Sequence, residues 1–143
     1  MLLIEALLRF TEQDKPTMSK LHMAWTLVIQ HVEIFVEEAE GRDKEILQEI
    51  LDKIHARWEY GYCDLQAVAY LLDPEFVHCE MSALDLEAFQ SYMRRVFYAH
   101  SNVAQDAMIA SLTRDLMTFR NSQGPFSSPV AKAAVAEVSA TEW

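Results

Sequence analysis

The sequence of 143 residues predicts an all-α protein, and three observations carry that prediction. Apolar residues recur at spacings of three and four along most of the chain, the period of a helix face turned towards a neighbour. Only 3 residues are glycine, so few positions accept the left-handed backbone that the tightest β-hairpins require. No segment alternates apolar and polar residues for long enough to read as a half-buried strand. With 51% apolar residues, the chain suits a single helical bundle of five or six helices over residues 1–143, burying roughly two thirds of its unfolded surface.

The elements follow in order. The opening "MLLIEALLRF" has an apolar face, but it lacks a basic start and carries Glu5 in its middle, which argues against a secretory signal peptide. Met18, Leu21, Trp25, Val28, Val32, Phe35 and Ala39 then form the clearest helical stripe, with Thr17 or Ser19 available as cap and Gly41 as stop. A second helix over 43–58 sets Leu47, Ile50, Leu51, Ile54 and Trp58 on one face and acids on the other, and should pack antiparallel to the first. "DLQAVAYLLDP" predicts a short helix over 65–72, opened by Asp64 and closed by Pro74. It is apolar nearly all round, so it should be buried among other helices, where small Ala67 and Ala69 permit close approach. Ser82 and Asp85 resemble a capping pair for a helix whose stripe runs Leu86, Phe89, Met93, Val96, Phe97 and His100. A fifth helix starts at Ser101 or Asn102 and carries Ile109, Leu112, Leu116 and Phe119. Residues 120–129, rich in loop formers, precede a short C-terminal helix that Pro129 opens.

Charge narrows the partners. Lys and Arg total 12 against 22 Asp and Glu, and the net charge of −10 opposes the phosphate neutralisation that drives nucleic-acid binding. The acids concentrate in residues 33–53, where Glu33, Glu37, Glu38, Glu40, Asp43, Glu45, Glu49 and Asp52 face three bases. A solvated helix face is the simplest account of such a run. The uncharged stretch Leu65–Leu72 is far too short for a bilayer core of about 30 Å, so no membrane span is expected. Cys63 and Cys79 lack a motif spacing and read as free thiols of a reducing, intracellular compartment.

The common catalytic signatures, a Gly-rich phosphate loop, a nucleophile elbow or paired C-x-x-C, do not occur. Asp52 with His55 and Glu75 with His78 have the i, i+3 carboxylate and imidazole spacing of di-iron bundles, with Glu37 or Glu45 and Glu87 as further carboxylates. Because Glu75 and His78 follow Pro74 in a loop, helical spacing carries little geometric meaning there. Cys79 beside His78 lacks the third group that an activated thiol needs. Arg57 and Trp58 combine a planar cation and an indole that stack on bases or aromatic groups, or else mark a helix end with Trp58 in the core. Arg94 and Arg95, with Arg114 and Arg120, lie in segments with few acids and form the remaining candidate contact surface.

"FTEQDKPTMSKLHMAW", "RWEYGYCDLQAVAYLLDPEF" and "QGPFSSPVAKAAVAEVSATEW" stand in an order that resembles consecutive blocks of hAT-superfamily transposases, especially those with a ribonuclease-H-like core. The matching positions are Asp14, Pro16 and Met18; Arg57, Trp58, Ala67, Ala69, Tyr70, Leu72 and Pro74; and Gly124, Phe126, Ala131 and Trp143, within about residues 8–143. The resemblance is to the helical region inserted within the transposase core. It implies that the catalytic strands and metal-binding acids lie outside this chain, and that the compartment is nuclear. The expectation is a non-catalytic helical domain without cofactor that binds a protein partner or itself. An independent helical regulator or effector that binds an unrelated host protein, and a carboxylate and histidine metal bundle, are the alternatives.

Overall fold

The computed structural model describes residues 18–98, 102–131 and 133. Expectations placed on the opening apolar segment, Thr17, His100 and Trp143 lie outside the described residues. Every regular element among the described residues is helical, as the sequence predicts: α1 Met18–Glu38, α2 Gly41–Gly61, α3 Asp64–Leu72, α4 Ala83–Val96 and α5 Asn102–Arg120. Short 3-10 turns occupy Pro74–Phe76 and Gly124–Ser127, and residues 129–131 are helical. The fold divides into two compact units between Cys63 and Asp64.

In the first unit α1 and α2 form an antiparallel pair. The last turn of α1 closes with Ala39 N–H donating to Phe35 O at 3.0 Å, after which Glu40 is extended. Gly41 takes φ +58°, a left-handed conformation that an L side chain resists, and α2 begins there rather than at Asp43. Val28, Val36 and Leu51 are buried in this unit, and Trp58 anchors its other end. The indole lies 5.6 Å from the His22 ring, 5.7 Å from Trp25 and 5.0 Å from Tyr62 between centroids, tilted contacts that suit the ring quadrupoles. Ser19, considered a cap, lies instead inside α1 and is buried.

In the second unit α3 packs on α4 and α5, and α4 packs on α5. Ala67, Val68, Tyr70 and Leu71 of α3 are buried with Val77, Ala88, Phe89, Ile109 and Leu116. Each Val, Leu, Ile or Phe so covered contributes about 1.5–3 kcal/mol before entropy is charged against it. The expectation that α3 is covered on all sides needs correction, because Leu65 and Leu72 remain exposed. They stand seven residues apart on one face, which no described neighbour encloses.

Local signals in the sequence set the boundaries of this unit. Asp73 Oδ1 accepts from Glu75 N–H at 2.9 Å and Pro74 opens the 3-10 turn, which is how the Asp-Pro pair ends α3. At α4, Asp85 N–H donates to Ser82 Oγ at 3.1 Å while Ser82 N–H donates to Asp85 Oδ2 at 2.9 Å, a full capping box with Asp in place of Glu. α5 ends in a Schellman turn: Gln123 N–H donates to Thr118 O and Ser122 N–H to Phe119 O, both at 2.9 Å. The left-handed position falls on Ser122, φ 51°, rather than on a glycine. Phe126 then returns onto Phe119, edge to face at 5.2 Å.

Candidate interaction surface

The cations singled out in the sequence turn out to serve the fold in several cases. Arg95 Nη2 lies 2.8 Å from Asp64 Oδ2 and ties the end of α4 to the start of α3. Arg94 Nη2 stands 3.5 Å from Asp106 Oδ1, and Gln105 Nε2 donates to Arg94 O at 2.7 Å, which together join α4 to α5. Both arginines are more than half exposed, so each ion pair adds no more than about 1 kcal/mol. Trp58 is committed to its aromatic neighbours while Arg57 is exposed beside it. Arg57 and Trp58 belong to one compact unit and Arg94 and Arg95 to the other.

Arg120 is the largest departure from the sequence reading. Expected with Arg94, Arg95 and Arg114 to offer a contact surface, it is buried, and its guanidinium donates to Leu71 O at 3.2 Å, Phe76 O at 3.2 Å and Cys79 O at 2.7 Å. The same group lies 5.6 Å from the centre of the Tyr70 ring. Its planar fork of donors suits carbonyls left open at the end of a helix. The Tyr70 hydroxyl donates to Glu80 O at 2.6 Å. Burial, reinforced by Cys79, raises the Tyr70 phenol above its ordinary value, and Arg120 opposes part of that rise. With Arg120 inside the fold, the four arginines cannot share one exposed nucleic-acid footprint.

The metal reading finds little geometric support. Asp52 is exposed on α2 and accepts from Gln48 Nε2 at 2.9 Å, and His55 is half-buried on the same helix. Glu75 and His78 are exposed in the 3-10 turn and the turn after it, where the i, i+3 spacing has lost its helical meaning. Among the described residues no three His, Cys, Asp or Glu side chains gather to hold an ion. Cys63 is exposed and Cys79 half-buried, both as free thiols.

What the structure does present is an apolar face on the first unit. Leu27 is 46% exposed, Ile34 50% and Phe35 47%, in positions i, i+7 and i+8 of α1. His31 at i+4 completes the stripe and meets Phe35 edge to face at 4.7 Å. At 3.6 residues per turn, Leu27 and Ile34 point about half a turn away from Val32 and Val36 and about a third of a turn from Val28, so α1 is apolar on two sides. Phe35, assigned to the core stripe from its spacing, follows Val28 by seven residues but is 47% exposed, so it stands at the open edge of that stripe and not inside it. On α2, Ile46 and Ile50 are exposed at i and i+4, and Ile50 is likewise a residue expected inside. Glu49 pairs with Lys53 at 2.6 Å, which lowers its carboxyl below the ordinary value.

The sequence held a signal for this surface that a single stripe obscures. Leu27 and Ile34 fall between members of the core series, and marking every apolar position on one wheel would have shown both faces. No described helix is long and apolar enough to cross a membrane. No family model, curated protein or solved structure matches the chain.

Proposed function

We propose that the chain is a non-catalytic helical protein-interaction domain whose contact face lies on the α1–α2 pair. The observation that carries this reading is the pair Leu27 and Ile34, large apolar side chains left about half exposed away from the buried residues of α1, with Phe35 equally exposed at the edge of the core stripe. Such a stripe costs solubility unless something covers it, and repeated exposure along one helix face is the pattern of helix recognition. The ordered blocks that resemble the hAT insertion region support a transposase-derived origin and a nuclear setting as part of the same proposal.

Full-length chain carrying a photo-crosslinking residue at Met23, beside the stripe, tests the reading in cell extract. A discrete adduct formed by the parent and lost with Leu27→Ser plus Ile34→Ser is the expected result. Adducts unchanged by the double substitution, or none at all, would sink the proposal.

A further inference from the structure

We infer that the occupant of this face is a cationic amphipathic helix of another protein, an inference that rests on the interaction-domain reading and names its partner chemistry. The charge around the stripe decides it. No Lys or Arg occurs from residue 21 to residue 41, whereas Glu33, Glu37, Glu38 and Glu40 all lie there and are all exposed. Glu37 and Glu38 follow Ile34 by three and four residues, which places them on the turn beside it. A helix laid along Leu27 and Ile34 therefore meets two apolar side chains and, on the next turn, the carboxylates of Glu37 and Glu38. Its complement has apolar residues at i, i+3, i+4 and i+7 and Lys or Arg on the flanks.

The same charges disfavour the other occupants. A second copy of this chain would bring eight acids of residues 33–53 against the same eight, with only three bases among them on each side. An anionic lipid surface would be repelled by the same margin. A purely acidic or neutral helix would gain the apolar contact without the electrostatic one.

The test uses the full chain and three synthetic helical probes measured by fluorescence anisotropy at low and high salt. The first is a Leu/Lys peptide with its leucines on one face, the second its Leu/Glu twin, and the third the Leu/Lys composition scrambled to destroy the face. The expected result is binding of the first alone, weakened about tenfold or more between low and high salt. Leu27→Ser plus Ile34→Ser should abolish it, and Glu33→Gln, Glu37→Gln and Glu38→Gln together should flatten its salt dependence. Both variants lie on the exposed side of α1, and their circular dichroism should match the parent.

Equal binding of the scrambled peptide would reduce the effect to general polyelectrolyte attraction and overturn the inference. So would equal binding of the Glu twin, or a dimer in sedimentation that Ile34→Glu dissolves. An extract adduct that depends on Leu27 and Ile34 while the Leu/Lys probe fails to bind would reject the cationic partner and leave the interaction-domain reading standing.

Discussion

Arg120 offers the most decisive perturbation of the second unit. Arg120→Ala removes a guanidinium that donates to three carbonyls, those of Leu71, Phe76 and Cys79. Phe76 O still accepts from Cys79 N–H at 2.9 Å, so its loss is the smallest. Leu71 O, in the last turn of α3, and Cys79 O each lose a charged donor, at about 1.5 kcal/mol or more apiece. The sum is about 3 kcal/mol, a large share of the 5–15 kcal/mol typical of a whole domain. Loss of the contact with Tyr70 adds to it. Hydrogen exchange on the full chain resolves the two units separately, and amides of α3 and of residues 74–79 should exchange about a hundredfold faster in the variant. In a thermal melt the transition of this unit should fall by about 12–24 °C, at about 4–8 °C per kcal/mol. Arg120→Lys, which keeps the charge but not the planar fork, should fall between. Exchange in these segments that rises less than about threefold would mean that water replaces the guanidinium without loss, and that Arg120 does not hold these segments together.

Four further outcomes are expected. Ser122→Gly should raise the urea midpoint, by about 0.5–1 kcal/mol in stability, because glycine adopts the left-handed position without strain; an unchanged or lower midpoint counts against the Schellman assignment. The Tyr70 phenol, raised in the folded state, contributes stability that is fully present below its unfolded value of about 10 and disappears as pH rises through the folded value. The stability difference between parent and Tyr70→Phe should therefore shrink as pH rises above about 10, and a flat difference would contradict it. Trp58→Ala should destabilise the first unit by about 2–3 kcal/mol in denaturant titration, less than full burial would give, since the indole is only half-buried. Duplex DNA should show no sequence-specific gel shift at physiological salt; a stable specific complex there, lost with Arg94→Ala plus Arg95→Ala, would restore a nucleic-acid role.

Much of the fold was legible in the residues because its signals are local. The spacing of Leu47, Leu51, Ile54 and Trp58 located α2, Pro74 after Asp73 ended α3, and the pairing of Ser82 with Asp85 marked the start of α4. Periodicity identifies an apolar face without saying whether a partner covers it, which is why Phe35 and Ile50 were assigned to the core and stand outside. Arg120 was illegible for a different reason. Its partners are backbone carbonyls 41–49 residues earlier in the chain, and no residue type records a carbonyl left open by a 3-10 turn. Arg94 and Arg95 have carboxylate partners, yet only the docking of α4 between Asp64 and Asp106 reveals them.

That 49-residue separation sets an order of events during synthesis. α3 leaves the ribosome first, with apolar side chains and open carbonyls at its end, and the guanidinium that satisfies them is translated later. At about 5–20 residues per second the interval is roughly 2–10 s. Over that time the carbonyls at the end of α3 are left to water, and they are closed only when α5 emerges with Arg120 at its tip. Slowing translation between α3 and α5 prolongs that window without altering the finished protein, so the yield of folded chain should depend on codon choice in this stretch.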